Sequence, residues 1–429
     1  MAERSGFARF AGSEVHQPTL VDNVVVTLRV ARGGRVGSAE TNRVSDEGLG
    51  QLARRAAEAA ESAVAEPTWP GFAGPATYPD VEGHDPATAA LGPEGQARLA
   101  GEAISASELP AYGFFTSGET EVAVATTEGT AAEERATDAT VLVLAADEGR
   151  SGYAEATAWR AAALDPAAVA REAVGKALRT EGAGVVTPGT FRAVLEPYAI
   201  ADLLKYFSYD SLGALGLIEE RSYLTGRIGQ KVMDEKVTIV DGPLDAGGLP
   251  KAFDFEGSPK RRVELIVDGF AKGVVWDRQR AALAGDGHAS TGHAPPPVVR
   301  DYGALPFSLS MAGGEAGSAE ELAELVGEGI YVTRLHYLGI VDPREGVITG
   351  MTRDGTFRIR DGRIAEPLVN LRFTVGLPTV LGDVPGLTRD VTLVNGSDFY
   401  GERFPYGALV PALATTSFTI SGVGSKPGI

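Results

Sequence analysis

The chain of 429 residues has no cysteine, which excludes disulfide staples and every thiolate metal site. It has only five histidines, so imidazole ligands are few. No apolar run reaches the roughly 18 residues of a membrane span, and the opening MAERSGFARF lacks the apolar core of a secretion signal. A cytoplasmic protein without a membrane partner is expected. Basic residues are in deficit: Lys plus Arg number 39 against 57 for Asp plus Glu, a net charge of −18 at pH 7. A surface of that sign repels nucleic-acid phosphates, so no nucleic-acid partner is expected, with Lys260-Arg261-Arg262 left as a local patch suited to an anion. There is no G-x-S-x-G elbow. The glycine pairs Gly33-Gly34, Gly247-Gly248 and Gly313-Gly314 match neither a P-loop nor a dinucleotide fingerprint, so no cofactor is implied.

What is present is ordinary for a globular protein, with 44% hydrophobic and 22% charged residues in a chain long enough for two or three buried cores. The β-branched run VVVTLRVA at 24–31, a turn at 32–35 and VGSAETNRV read as a hairpin. Behind Asp46-Glu47, residues Leu49, Leu52, Ala53, Ala56, Ala60 and Val64 recur at helical spacing until Glu66-Pro67 stops the helix. Residues 67–93 have no period and read as an irregular connection. Four short strands follow, at 111–116, 122–126, 135–145 and 151–158, and Asp165-Pro166 opens a helix to about Arg179. Residues 1–182 are thus expected to form an α+β domain, an antiparallel sheet with helices. Residues 183–429 are expected to form a second domain of extended, mainly antiparallel sheets. Its strands lie at 191–195 and 236–240, around the Asp268-Gly269 turn, in IYVTRLHYLG, in the ITGMTRDGTFRIRDGRI hairpin and in NLRFTV. Ser318 and Glu321 mark a capping box, and 285–306 reads as a long loop.

The most specific stretch is 188–229, PGTFRAVLEPYAIADLLKYFSYDSLGALGLIEERSYLTGRIG. It reads as a strand, a corner at Glu196-Pro197, a helix from Ala199 to about Ser208, and a glycine-punctuated approach to Arg221-Ser222-Tyr223. Together with FARFAGSEVHQ near the start, FDFEGSPKRR at 253–262, STGHA at 290–294 and ITGMTRDGTF at 348–357, it resembles the TldD/PmbA family of proposed DNA gyrase modulators and metallopeptidases, on the PmbA (TldE) side. The resemblance implies that TldD-type members carry a zinc-binding HExxxH on the helix after the strand, completed by a C-terminal cysteine. The same register here is Lys205-Tyr206-Phe207-Ser208-Tyr209-Asp210. A lysine ammonium repels zinc and a tyrosine is a poor base near neutrality, so no metal is expected. Relatives usually place a helix and a first strand before the RFA segment. With those residues short here, an exposed sheet edge at 24–30, covered by a partner, is expected.

Lys205 and Asp210 are the candidate catalytic residues, for metal-free acid/base work in the vacated pocket, with a structural salt bridge as the plainer reading. Arg221, His293, His336 and Arg353 are the candidate substrate-binding residues. Asp286, His288 and His293 have the wrong spacing for one helical face, and a hydrogen-bonded loop histidine is the better reading of His293. His336, flanked by Arg334 and Tyr337, lies in a Val/Leu-rich strand. Glu256-Gly257 and Asp354-Gly355 are turn formers, and Arg353 is suited to clamping a carboxylate or phosphate.

Three functions follow as expectations. The resemblance implies that TldD- and PmbA-type chains pair around a proteolytic cavity, which makes this chain a non-catalytic, metal-free subunit of a hetero-oligomer with a TldD-like chain, acting in a peptidase or peptide-maturation complex. Pairs of this family also occur in antibiotic gene clusters, and the Ala/Gly/Arg-rich composition suits a high-GC actinobacterial source. The second expectation is therefore metal-free tailoring, elimination or ring closure, on a carrier-bound or peptide substrate. The third is a homodimeric binding protein.

Overall fold

The computed structural model describes residues 1–285, 287–397 and 401–428. Ala2–Ala11 and Glu14–Val24 form a hairpin that extends through Ala111–Ala125, Ala131–Asp147 and Arg150–Ala158 into a five-stranded antiparallel sheet with Glu14–Val24 at its edge. Helices Pro93–Ser105 and Pro166–Leu178 pack against it through small residues, Ala100, Ala103, Ala170, Ala173 and Ala177, all fully buried. The approach is close because Gly152 has no side chain: a Cβ there would stand 2.1 Å from the carbonyl oxygen of Ala173. The second helix starts where its residues dictate, with the Asp165 carboxylate accepting from the Ala168 N–H at 2.8 Å and Pro166 in the first turn. A separate hairpin, Val26–Arg32 with Arg35–Thr41, carries the helix Asp46–Ser62, capped by Ser45.

The structure changes three of these expectations. Strands begin well before residue 24, so the sheet edge is Glu14–Val24, while Val26–Arg32 is paired within its own hairpin. The segments 111–116 and 122–126 are one strand, Ala111–Ala125, because the residues between them are also laddered to Ala131–Asp147. Pro93–Ser105, whose Gly and Ala weaken any period, is a helix.

The second half holds two sheets. One runs Phe270–Ala271, Val263–Val267, Ile239–Asp241, Leu309–Met311, Gly407–Val410, Thr392–Asn395. The other runs Gly329–Asp342, Gly189–Leu195, Leu413–Val423, Leu371–Gly376, Val347–Arg360, Arg363–Leu368. Gly329–Asp342 also pairs with Val347–Arg360, so five of these strands close into a ring. Pairing is mainly antiparallel, with Gly189–Leu195 parallel to Gly329–Asp342 and Leu309–Met311 parallel to Gly407–Val410. The fold class is α+β, as read from the sequence. The Asp268-Gly269 turn has positive φ at both residues, 51° and 76°, as a two-residue hairpin requires.

The helix Pro197–Ser211 lies between the two sheets. It begins at Pro197 itself, since a proline without an N–H fits the first turn, where that donor has no partner in any case. Ile200, Leu203 and Leu204 are fully buried, and with Phe207 they join residues of both sheets in the largest apolar cluster of the chain. Among the described residues no helix is long and apolar enough to cross a membrane.

Candidate functional site

Residues 201, 202, 205, 208 and 209 recur on one face of the Pro197–Ser211 helix, and that face opens on a narrow cleft. Phe307, Asn395, Gly396 and Tyr406 supply the opposite walls. A second, wider cleft adjoins it, sharing Asp202, Val394 and Asn395, and adds Tyr153, Glu155, Arg334 and His336. The site helix therefore presents Asp202 to both.

Lys205 donates through Nζ to the Gly396 carbonyl oxygen at 2.6 Å, and its ammonium lies 5.5 Å from the ring centre of Tyr406. Asp202 stands one turn earlier. Among the described residues no hydrogen bond or ion pair holds its carboxyl, and burial raises its pKa to about 7 against the pull of Arg334 and Lys205. Glu155 is pushed up by burial as well, but its oxygens are taken, one by the Tyr153 hydroxyl at 2.5 Å and the other by the Asn395 N–H at 2.9 Å. Arg334 packs its guanidinium 3.9 Å from the centre of the Tyr153 ring, with Nε 3.0 Å from an Asp354 oxygen but not aligned to hydrogen-bond with it. His336 is held below the ordinary imidazole pKa by burial and by the neighbouring cations Arg334 and Arg353, so it is neutral at pH 7.

The predicted site residues separate into groups. Lys205 and His336 line the two joined clefts. Arg353 sits across the strand pair from Arg334, with Nε 3.9 Å from Asp354 and its side chain 38% exposed. Asp210 turns away from Lys205 to pair with Arg221, which also binds Glu219 at 2.6 Å, so these two form a separate ion-pair cluster at the end of the helix. His293 is fully buried, Nε2 on Asp241 at 2.6 Å and Nδ1 on Thr291 at 2.8 Å, and both ring nitrogens are committed to the loop. His288 stacks on Trp276 at 4.1 Å. Asp286 lies outside the described residues. Sequence reasoning missed Asp202, Glu155 and Tyr153. The available signal for Asp202 was its place three residues before Lys205, a lone acid in the apolar run AIADLL.

Residues 188–422 match the profile of the PmbA/TldA metallopeptidase C-terminal domain, 2–60 that of domain 1 and 89–181 that of the central domain. The chain belongs to the PmbA/TldD family. Its fold is that of TldE from Thermococcus kodakarensis, with a TM-score of 0.86 at 19% identity over 98% of this chain and 95% of that one. A proposed modulator of DNA gyrase from Thermotoga maritima gives 0.85 at 18% identity over 98% and 94%. Among curated relatives, a metalloprotease of Methanothermobacter thermautotrophicus is 28% identical over 236 residues, 53% of this chain and 48% of that protein. A metalloprotease of Archaeoglobus fulgidus is 29% identical over 199 residues, 46% and 43%. The chain thus spans about half the length of the curated relatives it matches.

The family description implies a metal. At the helix positions that the resemblance assigns to the zinc motif stand a cation engaged with a carbonyl, Lys205, and an acid already paired with Arg221, Asp210, which do not fit one. Among the described residues no three His, Cys, Asp or Glu side chains are grouped to hold an ion.

Proposed function

We propose that this chain is the metal-free, TldE/PmbA-like member of a hetero-oligomer, which binds a peptide in the joined clefts while a TldD-like chain carries the metal of a peptidase or peptide-maturation complex. The observation that carries this reading is Lys205, whose ammonium donates to Gly396 across the cleft, at a position that the resemblance assigns to the zinc motif. A fixed cation there opposes a divalent ion and suits a substrate carbonyl or carboxylate. Arg334 adds a second cation in the adjoining, more polar cleft, so an extended peptide has a cationic anchor in each. The test is light scattering and elemental analysis of the chain expressed alone and with a TldD-like partner. One-to-one co-elution, with metal following the partner, supports the reading. Stoichiometric zinc on this chain alone, or a stable homodimer that ignores the partner, overturns it.

Asp202 favours a second reading. An unpaired carboxyl with a pKa of about 7 beside an ammonium accepts a proton from a substrate and returns it. That is the requirement of a metal-free elimination or ring closure on a peptide or carrier-bound substrate. In the assembled complex, Asp202→Asn and Lys205→Met would abolish such turnover while leaving pairing intact. Unchanged turnover in both removes this reading.

A further inference from the structure

A third cleft lies away from the site helix, where the Val26–Arg32 hairpin and the 66–75 connection meet the FDFEG segment and Arg278. Trp69 and Phe72 meet edge to face at 5.5 Å in its wall, and Phe255 stands with them in the lining. Its charged groups are Arg29, Arg278 and Glu256. Arg29 lies 5.0 Å from the centre of the Trp69 ring and reaches one oxygen of Glu256 through Nη1 at 3.3 Å. The other oxygen of Glu256 is taken by the backbone N–H of Arg278 at 3.0 Å. Arg278 has no carboxylate partner among the described residues. Its Nη2 donates to the carbonyl oxygens of Phe72 at 3.1 Å, Pro70 at 3.4 Å and Gly71 at 3.5 Å.

Arg300 is close enough to Arg29 to be depressed by it as well as by burial, while its own neighbour Asp301 is exposed. Glu256 acts on Arg300 as well, and two further buried carboxylates, Asp254 and Asp277, share its surroundings. Nη1 of Arg278 and Nη2 of Arg29 take no protein partner among the described residues and are not enclosed, unlike the two Nε atoms, which are buried and unpaired. Two outward N–H edges beside flat apolar walls form a receptor for an oxyanion carried on a ring.

We propose that this cleft binds a small organic anion whose carboxylate or phosphate pairs with Arg29 and Arg278 and whose flat apolar body packs against Trp69, Phe72 and Phe255. The site is independent of the joined clefts and does not rest on the function proposed for them. It also assigns a task to Glu256, which holds the Arg29 guanidinium and the backbone N–H of Arg278, beyond its place in a turn.

The test is titration calorimetry of the full chain with benzoate, phenyl phosphate and inorganic phosphate, backed by the fluorescence of Trp69 against a Trp69→Phe control. Saturable binding of benzoate or phenyl phosphate is expected, at least tenfold tighter than inorganic phosphate. The tighter of the two ring compounds tells a carboxylate ligand from a phosphate one. Arg278→Gln should weaken binding at least tenfold with an unchanged circular dichroism spectrum and melting temperature, and Arg278→Lys should restore part of it. Should Arg29→Gln alter the fold, Arg278→Gln alone carries the test. The proposal is overturned if neither ring compound saturates, if inorganic phosphate binds as tightly as phenyl phosphate, or if Arg278→Gln binds like the parent.

Discussion

Asp202 carries the sharpest consequence at the scale of single residues. Its folded pKa of about 7 lies above the ordinary 3.8, so the folded chain keeps a proton that the unfolded chain releases as pH rises from about 4. Stability linked to this group is full below pH 4 and is lost as pH climbs through 7. Asp202→Asn removes that loss. The variant should gain on the parent between pH 5.5 and pH 8 by on the order of 1–3 kcal/mol, read as the change in urea midpoint at each pH. An equal difference at both pH values would contradict an elevated pKa. Lys205 is held differently, its ammonium donating to a carbonyl. Lys205→Met should cost about 1–2 kcal/mol, chiefly through the unpaired Gly396 oxygen, and should weaken peptide binding to the assembled complex about tenfold or more, measured by calorimetry. The sequence exposed Lys205 because a family motif pointed to its position. It concealed Glu155 and Tyr153, because YAEA in the outer strand Arg150–Ala158 looks like any alternating strand until the site helix is laid against it.

Among elements, the site helix is held at its start as firmly as along its length. Glu196, its N-terminal cap residue, is bound by Lys176 of the helix Pro166–Leu178 at 2.7 Å and by the Tyr331 hydroxyl at 2.5 Å, while the Tyr198 hydroxyl donates to the Glu155 carbonyl at 3.1 Å. These bonds tie the five-stranded sheet to the helix that lines the clefts. Lys176→Met leaves Glu196 enclosed without its cation and should cost about 3 kcal/mol in chemical denaturation, against well under half of that for Glu172→Gln on the exposed side of the same lysine. Elements of this kind were legible where local chemistry is strong: the Asp165-Pro166 start, the Ser318 cap, the Asp268-Gly269 turn and the helix after Pro197. Ala2–Ala11 was not, because its charged and small residues acquire an inner face only when Phe10 and Ala8 meet the Pro93–Ser105 helix. That helix was hidden in turn by its own small residues, of which Ala100 and Ala103 let it lie close to the sheet.

For the molecule as a whole, the first and last parts of the chain are joined by Arg403. Its guanidinium is 1% exposed and binds both oxygens of Asp138 at 2.8 and 2.6 Å, and its Nη1 donates to Thr116 at 3.0 Å. Arg403 lies three residues before Tyr406, which walls the first cleft, so the same contact that staples the two halves also sets that wall. Asp138→Asn should cost about 3–5 kcal/mol by stranding a buried charge, and it should weaken occupancy of the clefts beyond what the stability loss explains. Full peptide binding in a folded Asp138→Asn variant would separate the two roles. No sequence pattern announces a pair so far apart in the chain, and the two residues look like routine surface charges until the fold encloses them.

The first strand of the ring in chain order, Gly189–Leu195, has both of its neighbours, Gly329–Asp342 and Leu413–Val423, far downstream. Synthesis runs from the N-terminus, so this strand and the apolar helix after it leave the ribosome long before anything exists to cover them. The cost of closing such long loops precedes the contacts that repay it, which makes this half slow to fold and prone to associate while it waits. The helix that becomes the floor of the clefts is therefore, for much of the life of the nascent chain, an uncovered ligand for chaperones.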